Sequence, residues 1–255
     1  MEAEEEKIVE HVKEAFHALA DKKKGWKEKI GSFLWEILII IIAVNLTIWF
    51  HSWSDKRHER QLEKEFLIDI KESLVEDTIS IRNYINFMNN NILVYYDSAL
   101  AQVNNNKIDA QYIDSLFWKL TQDFGIAINN GIYQSFSSAN NLRLIENKRL
   151  LSDIIYTYTN TFPNIDFNLK FLFNKRNDAF EKYIALKTGY DNNGSTKLST
   201  IIHQPEIIFV FQMGQALIKG INNNFENSIV QVDTLIQEIN QELKDKFNYD
   251  TSKHG

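Results

Sequence analysis

Along most of the chain, hydrophobic and polar positions alternate with the three-to-four-residue step of a helix. Leu62, Phe66, Ile70 and Leu74, then Ile81, Ile85, Met88, Ile92 and Tyr95, keep that step, and no Pro or Gly intervenes before Gly125, so one helix is predicted to run on to about Leu100. Short helices are predicted over 109–123 and 132–138, with a turn between them at Gly125–Gly131. A helix over Glu146–Phe162 is expected to close at Pro163, and the next, from about Pro163 to Lys187, to bury Phe167, Phe171, Phe180 and Ile184. The tract Gly189–Thr200, GYDNNGSTKLST, reads as a loop. Pro205 suits the first turn of a helix ending near Ile221. In the last helix, Phe225–Phe247, the residues Phe225, Ile229, Val232, Ile236, Ile239, Leu243 and Phe247 alternate steps of four and three, as in a bundle or coiled coil. At the other end, Glu2–Lys24 reads as an amphipathic helix with Ile8, Val12, Phe16 and Leu19 on one face.

One stretch departs from this pattern. Ser32–Phe50, SFLWEILIIIIAVNLTIWF, is apolar all round. Its roughly nineteen residues rise about 28 Å as a helix, close to the hydrocarbon thickness of a bilayer. Twelve positions between Phe33 and Phe50 are Ile, Leu, Val or Phe. At about −0.3 to −0.6 kcal/mol each they sum to about −4 to −7 kcal/mol of insertion free energy. That outweighs Asn45, and it outweighs Glu36, which lies near an end where a carboxylate reaches water. Trp35 near one end, and Trp49 and Trp53 near the other, match the aromatic belts of a membrane span. A cleaved signal is the rival reading, but the run starts late, is long for a signal core, and leads into His51-Ser52-Trp53-Ser54 rather than a small-x-small site. Lys13, Lys22, Lys23, Lys24, Lys27 and Lys29 precede the run, whereas Lys56, Arg57, Arg60 and Lys64 follow it, a bias that favours a cytoplasmic amino terminus.

The expected architecture is all-α, a single transmembrane helix continuing into a periplasmic bundle. Residues 1–31 form a cytoplasmic amphipathic and juxtamembrane segment, 32–53 the span, and 54–255 a bundle of about five or six helices. Composition agrees: two prolines and nine glycines in 255 residues suit a helical chain, and 44% apolar content supplies a core. The Asn runs at Asn89–Asn91, Asn104–Asn106 and Asn222–Asn224 are expected at helix ends or loops. A net charge of −6 without a long basic tract argues against a nucleic-acid partner. The absence of cysteine excludes disulfides and thiolate chemistry.

Two stretches carry a resemblance. Glu36-Ile37 through Trp49 and Trp53 into Lys56-Arg57, followed by Leu67, Ile70, Leu74 and Asp77-Thr78, forms the first. Tyr133-Gln134-Ser135-Phe136, Asn141-Leu142 and Leu144-Ile145-Glu146-Asn147-Lys148, then Leu150, Ile154-Ile155 and Tyr158, forms the second. They are similar to the opening and the central segment of a family of single-span Bacteroidota inner-membrane proteins of unknown function. Where that family carries Gly ahead of the Asn-Leu pair, this chain has Ala139-Asn140. The resemblance implies inner-membrane location and a helical periplasmic domain, and it brings no catalytic residues. In physical terms, Asn141 is a cap or turn residue, Leu142, Leu144 and Ile145 pack a corner, and Asn147 and Lys148 bond to backbone there.

Candidate chemistry is sparse. His11, His17, His51, His58, His203 and His254 are scattered; His51 and His58 could share a face and read as an interfacial pair, so neither a metal site nor a cofactor is expected. No Gly-x-Ser-x-Gly, phosphate-cradling Gly-rich loop or His-Glu-x-x-His occurs. Glu63 and Glu65, like Glu72 and Glu76, read as solvated surface. Tyr95, Tyr96, Phe117, Trp118, Tyr156, Tyr158, Phe171, Phe173, Phe209 and Phe211 are expected mostly to fill a bundle core, with a ligand pocket as the alternative. Within the span, Glu36, Ile40, Ala43, Thr47 and His51 share one face, suited to close packing between copies. The leading expectation is a non-enzymatic envelope scaffold or accessory subunit, partnered by the lipid bilayer and by further copies or a membrane complex. A sensory or solute-binding module is the second reading. A channel-forming oligomer, resting on Glu36 and Thr47, is the third.

Overall fold

The computed structural model describes Lys13 and residues 26–122, 125–189 and 196–249; among them every regular element is helical and no strand occurs. The amphipathic helix predicted over Glu2–Lys24 lies outside the described residues apart from Lys13, which is helical and exposed. The chain forms two compact units, Met1–Leu62 and Glu63–Gly255.

The first helix, α1, spans Trp26–Met88. It is long and apolar enough to cross a membrane by length and composition, and no residue of its apolar window is buried by the rest of the chain. After Met88 one π turn, Asn89–Leu93, leads directly into α2, Val94–Asn104. The wider turn takes one more residue than an α turn, and the buried stripe resumes at Tyr96 and Ala99 rather than at Tyr95, which is half-buried. Then come α3, Ala110–Thr121, capped by the Asp109 carboxylate accepting from the Tyr112 N–H at 3.0 Å, and α4, Gly131–Ser138. A 3₁₀ turn at Asn141–Leu144 precedes α5, Lys148–Tyr156. A π turn at Thr157–Thr161 joins α5 to α6, Phe162–Phe180, which passes through a further π turn, Glu181–Ala185, into the short α7, Leu186–Thr188. Of the expected loop Gly189–Thr200, residues 190–195 lie outside the described residues, and Leu198–Thr200 is a 3₁₀ turn. The last helix, α8, runs unbroken over Pro205–Phe247. It stops where Asn248 adopts a left-handed conformation, φ 50°, with the Tyr249 N–H bonded back to the Leu243 carbonyl at 3.1 Å.

Two predicted helix breaks are absent. Pro163 does not close a helix, because the π turn before it opens the backbone at the carbonyl its ring would otherwise meet, that of Thr159. Asn222–Asn224 do not divide α8 either. Asn costs at most about 0.7 kcal/mol per helical position. Ile218, Ile221, Phe225 and Ile229, buried on either side, each contribute about 1.5–3 kcal/mol. Asn222 itself turns inward and donates from Nδ2 to Asn89 Oδ1 at 2.8 Å.

Within the Glu63–Gly255 unit, α8 is the central helix and lies antiparallel to two neighbours. Against α1 and α2 the register is set by Glu63 with Lys246 at 2.6 Å, Arg82 with Asp233 at 2.7 Å, Asn89 with Asn222, and the Tyr96 ring edge-on to Phe211. Against α5 and α6 it is set by Asn147 with Glu242 at 2.8 Å, Arg149 with Glu238 at 3.2 Å and Thr161 with Gln231 at 3.2 Å. Gly214 permits the closest approach, since a Cβ there would stand 2.5 Å from the Tyr96 ring. α4 stacks Phe136 on Phe66 of α1 and Tyr133 on Tyr158 of the α5–α6 π turn, the latter at 4.6 Å.

The expected burials divide. Phe180, Ile184, Tyr96, Phe117, Tyr158 and Phe211 are buried, and so is the α8 stripe, with Leu235 added and Ile236 and Phe247 half-buried. Phe167, 63% exposed, and Phe171 are instead stacked on each other at the surface, and Trp118, Tyr156 and Phe209 are exposed as well. On α6 the buried face runs through Phe162, Ile165, Leu172, Arg176, Ala179 and Phe180, and Phe167 and Phe171 fall off it. Glu63, expected at the surface, is 1% exposed. Its Oε1 accepts from the Glu146 N–H at 3.3 Å, and Lys246 bridges it to Glu146 at 2.8 Å.

Candidate functional site

Of the polar residues singled out in the apolar stretch, two are satisfied by their own helix. Asn45 Nδ2 donates to the Ile41 carbonyl at 2.7 Å and Thr47 Oγ1 to the Ala43 carbonyl at 2.9 Å, so both polar groups are met inside their own turn. Trp35, Trp49 and Trp53 are exposed; Trp49 lies edge-on to Phe50, and Arg57 stands 5.8 Å over the Trp53 ring. Glu36 is half-buried, and its Oε2 has no hydrogen-bond partner among the described residues. His51 pairs with Asp55 at 3.2 Å, and His58 is exposed.

The central motif forms a corner between α4 and α5. Asn140, ahead of the Asn-Leu pair, is left-handed at φ 57°, a conformation asparagine tolerates better than most residues. Asn141 and Leu142 begin the 3₁₀ turn and Ile145 is fully buried. Asn147 caps α5, its Oδ1 accepting from the Leu150 N–H at 3.2 Å, and Lys148 donates to the Ile145 carbonyl at 3.1 Å. Tyr133 stacks on Tyr158.

A second constellation escaped the sequence reading. Asp77 on α1 is 2% exposed and holds the chain between α3 and α4, its Oδ1 accepting from the Asn129 N–H at 2.9 Å. One turn earlier, Ser73 Oγ donates to the Asn129 carbonyl at 3.3 Å. The start of the same segment is tied by Arg176, which donates to the Gln122 carbonyl at 2.8 Å. Asp77 Oδ2 and the Tyr158 hydroxyl are both buried without a hydrogen-bond partner among the described residues. Burial pushes the Asp77 carboxyl up from 3.8 to about 6, against the pull of the Asn129 N–H and with a further push from the Glu76 charge. Burial also pushes the Tyr158 phenol up, and the nearby Asp77 charge adds to it. The sequence signal was a gap in a stripe: between Leu74 and Ile81, the position owed an apolar residue carries Asp77.

The third feature is a groove along the antiparallel seam of α5–α6 and α8. A cavity of about 430 Å³ is lined on one side by Tyr156, Asn160, Thr161, Asn164 and Asn168, and on the other by Asn224, Asn227, Ser228 and Gln231. A shallower depression through Arg149, Asp153, Val230 and Glu238 meets it at Tyr156 and Gln231. No group of three or more His, Asp or Glu side chains suited to a metal ion occurs among the described residues. Compared with known protein families, with curated proteins and with solved structures, the chain matches none.

Proposed function

We propose that this protein is a non-enzymatic, single-pass membrane protein of the bacterial inner membrane, with its amino terminus cytoplasmic and its Glu63–Gly255 unit periplasmic, serving as an envelope scaffold or accessory subunit. The observation that carries the anchoring is the apolar window of α1, none of which is covered by the chain. Burying so many Ile, Leu, Val and Phe side chains is worth about 1.5–3 kcal/mol each, and lipid is the medium that supplies that burial. Self-satisfied Asn45 and Thr47 agree with residence in hydrocarbon, where an unmet polar group costs several kcal/mol. In its lipid setting the scaffold assembles with further copies or with a membrane complex through the face shared by Glu36, Ile40 and Ala43. With the Thr47 hydroxyl committed to its own backbone, the channel reading rests on Glu36 alone.

Three measurements test this. Membranes washed with alkaline carbonate retain the chain; recovery in the aqueous fraction refutes the anchor. Because the sequence has no cysteine, a single Cys at exposed Ser152 is a unique probe of sidedness, and a membrane-impermeant maleimide labels it in spheroplasts if the unit is periplasmic. Mass measurement in mild detergent gives a multiple of the chain mass or a co-eluting partner; a lone monomer removes the scaffold reading. The sensory reading keeps one observation in its favour, the buried Asp77 carboxylate that ties α1 to the segment before α4.

A further inference from the structure

We infer that the amide-lined end of the α6–α8 groove is a binding site for a neutral oligosaccharide. The inference goes beyond the anchoring reading and does not depend on it. Its basis is what the cavity of about 430 Å³ offers and what it withholds.

Every lining side chain is uncharged: Asn, Gln, Ser, Thr and one Tyr. A phosphate or a nucleic acid requires cations, and the cavity wall carries no Lys or Arg. A metal ion requires carboxylates or imidazoles, and none lines it. A protein partner is anchored by apolar and aromatic side chains seated in pockets, whereas the only such group here is Tyr156. What remains is a ligand without charge that presents many donors and acceptors on a compact frame.

Asparagine is the side chain best fitted to such a ligand. Each amide offers both a donor pair and an acceptor, so a hydroxyl can give and receive at the same residue. Asn160, Asn164 and Asn168 recur every four residues and present a ladder about 12 Å long. From the facing helix, Asn224 and Asn227 contribute exposed amides whose side chains make no hydrogen bond within the described residues. On the α6 side, Asn164 Oδ1 accepts from Asn168 at 3.3 Å, which leaves the Asn164 donors to the groove. Tyr156, 54% exposed, sets an aromatic ring at the edge where the C–H face of a sugar can lie on its negative surface. An unliganded wall of this kind is hydrated, and only a ligand with matching hydroxyls replaces that water without leaving groups unpaired.

The test is calorimetric titration of the full chain in a polyoxyethylene detergent, chosen because it has no sugar headgroup, with three probes: N-acetylglucosamine trimer, cellotriose and trigalacturonate. The inference expects saturable binding of at least one neutral trimer, with the anionic trimer at least about tenfold weaker. Comparison of the two neutral trimers distinguishes an N-acetylated chain from a plain glucan. Tyr156→Ala, and separately Asn164→Leu with Asn227→Leu, each weaken that binding at least about tenfold. All three positions are exposed, so the thermal midpoint stays that of the parent chain. The inference is overturned if neither neutral trimer saturates below about 10 mM, if the anionic trimer binds as well, or if the variants bind like the parent. It is equally overturned if the groove variants lower the detergent-corrected mass, since a second copy would then fill the seam.

Discussion

Asp77→Asn is the substitution that interrogates the buried carboxyl most directly. Asn keeps an acceptor for the Asn129 N–H, now met at 2.9 Å, and puts a neutral amide where the unpartnered Oδ2 stands. The charge disappears and the shape remains. In the folded chain the Asp77 carboxyl titrates at about 6, against an ordinary value of 3.8. At about 1.36 kcal/mol per pH unit, that difference is worth about 3 kcal/mol. Because the folded value is the higher one, the favourable contribution is fully present below about pH 4, where the carboxyl is protonated both folded and unfolded. It is lost as pH rises from about 4 through about 6, where the unfolded chain releases its proton freely and the folded chain must ionise a buried group. The Asn variant carries no such penalty. It should therefore exceed the parent chain by up to about 3 kcal/mol at pH 7, or about 6–12 °C for a unit of this size, and match it near pH 4. Thermal unfolding of both chains in the same detergent, followed by far-ultraviolet circular dichroism at the two pH values, measures that difference while other titrations cancel. A variant that melts lower than the parent at pH 7, or a gain of equal size at both pH values, would refute the burial account.

Three further substitutions test the packing of α8. Burial pulls the Lys246 ammonium down, but Glu146 and Glu63 outweigh it and hold its pKa above the ordinary value. Lys246→Met strands the buried Glu63 carboxylate at a cost of about 3–5 kcal/mol, seen as a fall in thermal midpoint, and adding Glu63→Gln to that variant should recover most of the loss. At the close approach of α8 to α2, Gly214→Ala drives a methyl into the Tyr96 ring and should lower the urea midpoint by the equivalent of about 1–3 kcal/mol. Gly220→Ala on the same helix meets nothing within 4 Å and should raise it by about 0.5–1 kcal/mol.

Element type and order were legible from periodicity because most of this chain is amphipathic at one period. α3 and α4 begin and end within two residues of expectation, and the stripe from Phe66 to Ile92 is the buried face of α1 and of the π turn after it. Breaks were less legible than elements. Pro163 and Asn222–Asn224 are local signals against helix, and each is overruled: the first by a π turn that no propensity encodes, the second by apolar burial on both sides. Phase failed where residue size was taken as a guide to burial. Phe167 and Phe171 outweigh Ile165 and Leu172 in hydrophobic area, yet only the latter pair lies on the face that meets the bundle.

The polar residues that matter most share one position in the pattern. Glu63, Asp77, Arg176 and Asn222 each stand on a stripe of apolar residues: three before Phe66, between Leu74 and Ile81, between Leu172 and Ala179, and between Ile218 and Phe225. Read singly, each looks like a lapse in the stripe or a solvated side chain. In the fold each is turned inward and ties α1, α6 or α8 to a distant segment, Glu63 to Lys246, Asp77 to Asn129, Arg176 to Gln122 and Asn222 to Asn89. Such bonds add little net stability over a well-packed apolar side chain, but a neighbour set in the wrong register would leave each of these groups buried and unmet. Apolar stripes alone would allow α8 to slide by a turn along its neighbours. The tie from Glu63 near one end of the α1–α8 pairing and that from Asn89 further along, each with its own partner on α8, forbid the slide. A period-based reading can find such residues by asking which stripe position is occupied by the wrong chemistry. It cannot name their partners, which lie 52 to 183 residues away in the chain.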